Sequence, residues 1–360
     1  MKVLLTGANG YIGLRLLPLL LEAGHQVICC VRDRRRFALR PEWASQVQVL
    51  EMDFHQKQAP LDLQLDAAYY LIHSMSGSTR NFSELEAQSA EHFLQLVEGT
   101  GLRQIIFLGG ISNEEVLSKH LASRQNVEQV LAASHIPLTV LRAGIIVGSG
   151  SASFEIIRDL VEKLPVMVAP RWLNTRCQPI AIRDVLGCLT GVLGRADCLG
   201  QTYDIGGSDV LTYNEMLQQF AHLRRLRRLI ITLPVLSPRI SSYWLYFVTS
   251  TSYRLAVNLV DSMKVEVVCH EQRLQQLLGQ EPMTYREAVS LAFLRIRQNE
   301  VTSSWKDSLI SSQGDPRLSS YVEVPTHGCF HDTRRLRLAL PAEQVIQNVM
   351  QIGGQRGWYY

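Results

Sequence analysis

Three glycines at intervals of three lie near the start of the chain: Thr6-Gly7-Ala8-Asn9-Gly10-Tyr11-Ile12-Gly13 reads GxxGxxG. The run stands between a short apolar stretch, Lys2 to Thr6, and a helical pattern that begins at Tyr11. Gly7 permits a tight turn. Gly10 lets the backbone approach a ligand, and Gly13 lets the helix pack close to the strand. A helix N-terminus adds free N–H groups and a partial positive charge, which suits phosphates. In this strand-turn-helix setting the loop predicts a pyrophosphate cradle built from Gly7, Asn9, Gly10, Tyr11, Ile12 and Gly13, hence a dinucleotide site. The alternative is a glycine-rich turn with packing value alone.

The next strand pattern, Gln26 to Val31, bears on which dinucleotide. A site for NAD(H) usually places an acid about 20 residues past the loop to bind the ribose 2′-hydroxyl. Here Arg32 stands at that point, followed by Asp33, Arg34, Arg35 and Arg36. A guanidinium matches the shape and charge of a 2′-phosphate, which predicts NADP(H) in preference to NAD(H). Asp33 argues the other way, and a solvated basic loop is the alternative. Asp53, after the third strand pattern, is placed to bind an adenine amino group, with Phe54 beside the ring. His73 and Ser74, after the fourth, sit where ligands bind in such sheets, or they contact only solvent.

The elements that must hold these residues alternate. Apolar strand patterns occur at residues 2–6, 26–31, 47–52, 67–72, 104–108 and 138–147, with helical patterns between them. That order predicts βαβ units, a doubly wound parallel sheet and a Rossmann-type α/β fold. The continuous apolar strands suit a sheet covered on both faces. Residues 1–300 read as the dinucleotide-binding region, with a core over 1–150 and a mostly helical substrate side over 151–300. The latter has helices near Phe154–Lys163, Ile182–Leu193 and Tyr213–Leu223. Thr302 to Pro316 is polar and Ser-rich, so 301–320 reads as a linker. Tyr321 to Val324 resembles a strand and Pro341 to Ile352 a helix. The chain ends on the aromatic cluster GGQRGWYY, so 321–360 reads as the opening of a partial α+β C-terminal domain.

Composition sets outer bounds. The 360 residues are 46% hydrophobic and 19% charged, which is ordinary for a soluble globular protein. A net charge of +3 gives no case for nucleic acid. The seven cysteines include no CxxC and are odd in number, which predicts buried free thiols in a reducing compartment, read as cytoplasmic. No uncharged apolar run reaches the roughly 18 residues of a membrane span; Ile240 to Tyr253 comes nearest and lies between Arg239 and Arg254.

TGANGYIG, MDF, the FLGG strand end and the LRAGIIVG strand resemble the short-chain dehydrogenase/reductase superfamily. More narrowly they resemble its atypical branch, with NmrA-like nucleotide-binding proteins and an accessory subunit of respiratory complex I. LSKHLASRQNVEQVL, SGSASFEIIRDLVEKLPVMVAPRW, QPIAIRDV and YDIGGSDVLTYNEM resemble a bacterial group of NAD(P)-binding oxidoreductase-like proteins. In that group a C-terminal domain of unknown function follows the dinucleotide fold. The resemblance implies a nicotinamide cofactor and, in working members, a Ser, Tyr and Lys, the last two as YxxxK. The Tyr moves the proton, and the Lys lowers its pKa and holds the nicotinamide ribose. The corresponding pentapeptide here runs from His120 to Arg124, and the serine position falls at Gly109 or Gly110, with Ser112 close by. Arg124 keeps the charge and can bind ribose hydroxyls, but it cannot relay a proton. His120 titrates near neutrality and is the remaining acid–base candidate. Both can instead be helix-surface residues that cover the cofactor.

Two function classes follow. One is an NADP-dependent oxidoreductase on an unidentified small molecule held between the sheet edge and residues 150–300. The other is a non-catalytic NADP(H)-binding sensor or complex-assembly protein. Three further features carry alternatives. The basic run Arg224–Arg228 suits either a solvated helix face or anionic lipid headgroups, so peripheral membrane contact stays open. His327, Cys329 and His331 would fall on one face if the segment is a strand, but no fourth ligand is evident and no metal is expected. Arg142 and Asp184, charged among apolar neighbours, read as a buried ion pair.

Overall fold

The computed structural model describes residues 1–37, 39–72, 82–111, 119–233 and 263–297, together with 322–323, 331–332 and 341–350. The first half of the chain alternates: β1 (Lys2–Thr6), α1 (Gly13–Glu22), β2 (Gln26–Val31), β3 (Val47–Glu51), β4 (Ala67–Tyr70), α2 (Phe82–Leu96), β5 (Gln104–Gly110), α3 (Lys119–Ala132) and β6 (Leu138–Ala143). Then come β7 (Ile146–Val147), α4 (Ala152–Lys163), β8 (Val166–Pro170), β9 (Arg176–Cys177), β10 (Ile180–Ala181), α5 (Ile182–Gly191), β11 (Thr202–Ile205), β12 (Leu211–Thr212), α6 (Tyr213–Leu223) and β13 (Leu229–Leu233). Two helices, α7 (Arg273–Leu278) and α8 (Tyr285–Arg297), close this part.

Seven strands form one sheet in the order β11-β6-β5-β4-β1-β2-β3, and every pair is parallel. The order reverses between β1 and β4. In open parallel sheets, ligands bind outside the carboxyl ends of the strands at such a switch point. The edge strand β11 comes from beyond residue 200, so the second half of the chain completes the sheet.

The strands are apolar throughout because both faces are covered. Val3 and Leu5 of β1, Cys29 of β2, Tyr69 of β4 and Ile106 of β5 join α1 and α5 on one face. Their neighbours Leu4, Ile28, Tyr70 and Phe107 join α2 and α3 on the other. A third core lies among α4, α6 and α8, where Phe154, Phe220 and Phe293 meet with ring centroids 5.3–5.7 Å apart. The six cysteines among the described residues carry free thiols. Burial pushes those of Cys29, Cys30, Cys177 and Cys188 up to about 12, so they stay protonated and inert.

Two expectations are corrected. Arg142 and Asp184 do not pair with each other. Arg142 pairs with Glu128 of α3 at 2.6 Å, while Asp184 pairs with Arg183 and accepts the Met283 N–H at 2.7 Å. The run Arg224–Arg228 is not a helix face. α6 stops at Leu223, and Arg225 takes a left-handed φ of 56° that turns the chain into β13. Near the C-terminus, β14 (Val322–Glu323) pairs antiparallel with β15 (His331–Asp332), and α9 (Ala342–Met350) falls on the expected helix. The expected linker 301–320, the Ile240–Tyr253 stretch, His327 and Cys329 lie outside the described residues. Among the described residues no helix is long and apolar enough to cross a membrane, and no cluster of potential metal ligands occurs.

Candidate functional site

The glycine loop runs from β1 into α1 at the switch point. Gly7 has φ +63°, and a Cβ there would lie 2.7 Å from the Leu71 carbonyl oxygen. A Cβ on Gly13 would lie 2.4 Å from the Gly7 carbonyl oxygen and 2.8 Å from the Ala8 Cα. Packing alone therefore requires both glycines. Gly10 differs: its Cβ would meet only the Gly7 oxygen, at 3.0 Å, and otherwise points into open space. That open cradle over a helix start fits a phosphate. Ile12 at the head of α1 provides no side-chain cap, and no acid occupies the first turn. The end of the helix thus keeps its positive character for an anion.

Sequence reasoning missed the residue that fixes this loop to the rest of the site. Arg15, one turn into α1, donates to the Tyr11 carbonyl at 3.0 Å and to the Ser149 carbonyl at 2.9 Å. Its guanidinium also lies 3.9 Å from the centre of the Tyr11 ring. The Tyr11 hydroxyl is buried against Gly148, where a Cβ would approach within 2.6 Å. Burial pushes this phenol up to about 12, against the opposing pull of Arg15, so it is a poor proton carrier near neutrality. Ser151 caps α4 by accepting the Phe154 N–H at 3.2 Å, and Glu155 accepts the Gly150 N–H at 3.3 Å. The start of α4 is therefore held beside the glycine loop.

At the carboxyl ends of β2 and β3, Arg32 and Asp53 come together, with Arg32 Nε 3.8 Å from the Asp53 carboxylate. The Arg32 side chain is 63% exposed. Asp33 turns away into a local structure. Its carboxylate accepts the Arg35 N–H at 2.9 Å and grips the Arg35 guanidinium at 3.1 Å through both oxygens. Asp53 also accepts the His55 N–H at 3.1 Å. Phe54, expected beside an adenine, is instead buried in the core under α2, its ring centroid 6.3 Å from that of Phe93. Burial of the apolar ring against α2 outweighs an exposed position beside a ligand.

Arg124 occupies the carboxyl ends of β4 and β5 and is buried. It donates to the Leu108 carbonyl and, at 3.2 Å, to the Ile72 carbonyl, with its guanidinium 4.7 Å from the centre of the Phe107 ring. Burial lowers its pKa, while Glu86 opposes that shift. Ser123 donates to the buried Glu86 carboxylate at 2.5 Å. Arg124 is thus a main-chain clamp across two strand ends. His120 belongs to α3, but its side chain lies outside the described residues, as do His73, Ser74 and Ser112.

An apolar pocket lies further along α4, lined by Ile156, Leu160, Met167, Trp172, Tyr213 and Met263. It is a shallow cleft with a cavity volume of about 30 Å³, open to solvent. Among the described residues no charged side chain lines it, and the buried Trp172 indole N–H has no acceptor. A helical rise of about 1.5 Å per residue puts Ile156 roughly 8 Å along the axis from Ser151.

Residues 7–163 match the model of a family described as NAD(P)H-binding. The photosystem II assembly factor Ycf39 of Synechocystis sp. (strain ATCC 27184 / PCC 6803 / Kazusa) is 22% identical over 150 residues. Those residues are 41% of this chain and 46% of that protein, so the match spans less than half of the relative's length. The fold is similar to that of a nucleoside-diphosphate-sugar epimerase from Staphylococcus aureus, with TM-score 0.62 and 16% identity over 80% of this chain and 99% of that one. It is also similar to a UDP-glucuronic acid 4-epimerase from Bacillus cereus in complex with UDP-glucuronic acid and NAD. There the TM-score is 0.59 and identity 14%, over 83% of this chain and all of that one. At such identities the likeness is one of fold.

Proposed function

We propose that this chain, whose residues 7–163 match the model of an NAD(P)H-binding family, takes NADP(H) in preference to NAD(H) and uses it in an oxidoreductase reaction on an uncharged small molecule. One observation carries the cofactor preference. Asp33, the acid that would favour a free 2′-hydroxyl, is committed to Arg35, while Arg32 stands exposed beside Asp53. A 2′-phosphate would give Arg32 a charge-assisted partner stronger than its weak surface contact with Asp53. The glycine loop and α1 would hold the pyrophosphate, and Arg15 would keep that loop in register with α4. The bound nicotinamide would supply the hydride chemistry.

The substrate class follows from the pocket along α4. Its described walls carry no group to neutralise a sugar nucleotide's phosphates, and they suit an apolar body with one acceptor for the Trp172 N–H. A second reading, a non-catalytic NADP(H)-binding protein in sensing or in complex assembly, is favoured by the commitment of Arg124 to main-chain carbonyls. The similarity to a photosystem II assembly factor points the same way. Equilibrium titration with NADPH and NADH tests the binding claim. Loss of NADPH absorbance across a panel of quinones, aldehydes and ketones separates the readings. Turnover supports the first, and binding without any turnover supports the second.

A further inference from the structure

The parallel ribbon of β8 and β13 stands apart from the central sheet and has two unlike faces. On the inner face, Met167, Ala169 and Ile230 join the core of α4 and α6. On the outer face, Val166, Val168, Leu229 and Ile231 are 52%, 42%, 57% and 42% exposed. The register pairs Leu229 with Val166 and Ile231 with Val168, so the four aliphatic side chains form one continuous apolar face. Such a patch calls for a partner.

The basic run leads directly into it. Two of its arginines are spent on the protein: Arg224 pairs with Glu162 at 2.9 Å, and Arg228 donates to the carbonyls of Val161 and Glu162. Arg225 and Arg227 are exposed. Strand alternation continued back from Ile231 and Leu229 places Arg227 on the outer side, opposite the inward-turned Arg228. The left-handed turn at Arg225 leads the chain from α6 into β13. We propose that this face docks on a bilayer surface containing anionic phospholipids. The four aliphatic side chains enter the headgroup–acyl boundary, while Arg225 and Arg227 meet the phosphates.

Charge decides between this and self-association. A second copy would bring the same arginines together in a chain already carrying a net charge of +3. Four half-exposed side chains also offer far less than the ~800 Å² per partner that a stable dimer buries.

The test is flotation of the full chain with phosphatidylcholine vesicles, with and without phosphatidylglycerol. Binding to the anionic vesicles alone, reversed by salt, is the expected result. Val168→Asp with Ile231→Asp should abolish it. Arg225→Gln with Arg227→Gln should weaken it roughly tenfold or more, since each cation contributes separately near the surface. Dinucleotide affinity serves as the folding control for both variants. No binding to anionic vesicles, or binding unchanged in both variants, overturns the proposal. So does a sedimentation mass that shows a dimer disrupted by the aspartates.

Discussion

Arg15 of α1 donates to the carbonyl oxygen of Ser149, 134 residues later, at 2.9 Å. This bond and the stacking of Arg15 on Tyr11 tie the glycine loop to the start of α4. Arg15→Ala should cost about 1.5–3 kcal/mol of stability through the lost charge-assisted bonds, measured by urea unfolding. It should also weaken dinucleotide binding, because the loop would lose its register. Unchanged stability together with unchanged affinity would show that the tie is incidental.

The glycines separate packing from binding. Gly13→Ala sets a methyl group against backbone that cannot yield, and should destabilise the fold by more than about 1–3 kcal/mol. Gly10→Ala meets one carbonyl oxygen at 3.0 Å and should cost less in thermal unfolding. Its larger effect should be on the dinucleotide, with affinity falling by at least tenfold as the methyl group fills the cradle. An alanine at position 10 that lowers stability without affecting affinity would remove Gly10 from the site.

Arg124 offers a test of its role as a clamp. Arg124→Lys keeps a charge but cannot span the Leu108 and Ile72 carbonyls in the same geometry. We expect a stability loss of about 2–4 kcal/mol from the buried carbonyls left unpaired. A variant of wild-type stability whose dinucleotide affinity alone is reduced would instead assign Arg124 to the ribose.

Acid sensitivity has a local source in Asp66. The Lys2 N–H at 2.8 Å holds its carboxyl below the usual carboxylate range, and Arg103 at 2.5 Å adds to the effect. A depressed folded-state value means that this stabilisation is complete above the unfolded value of about 4 and is lost as pH falls through the folded one. The wild type should therefore lose stability on acidification more steeply than Asp66→Asn, as followed by urea midpoints at descending pH. Parallel profiles would place the acid sensitivity elsewhere.

Much of this was legible in the residues. The continuous apolar runs of the strands and the glycine spacing are local signals, and they located the sheet and the loop. Thr212 and Glu215 form a capping box, so the start of α6 was local as well. What escaped was set by distant pairing. Thr202–Ile205 has no local signal that joins it to the sheet, and only pairing with β6 places it at the edge. Nothing local marks Arg15, whose role depends on the Ser149 carbonyl 134 residues later. Arg142 found its partner in Glu128 on the preceding helix, not in an acid 42 residues ahead. The run at Arg224–Arg228 keeps a helical spacing that only the left-handed backbone of Arg225 interrupts.

The central claim is that Arg32 reads the 2′-phosphate of NADP(H), and titration of the wild type and Arg32→Asp with NADPH and NADH tests it most directly. The wild type should bind NADPH more tightly than NADH. The variant should lose NADPH affinity by on the order of 1.5–3 kcal/mol or more, roughly tenfold to over a hundredfold, while its NADH affinity changes little. Equal affinity of the wild type for both dinucleotides, or NADPH affinity unchanged by Arg32→Asp, would contradict the account.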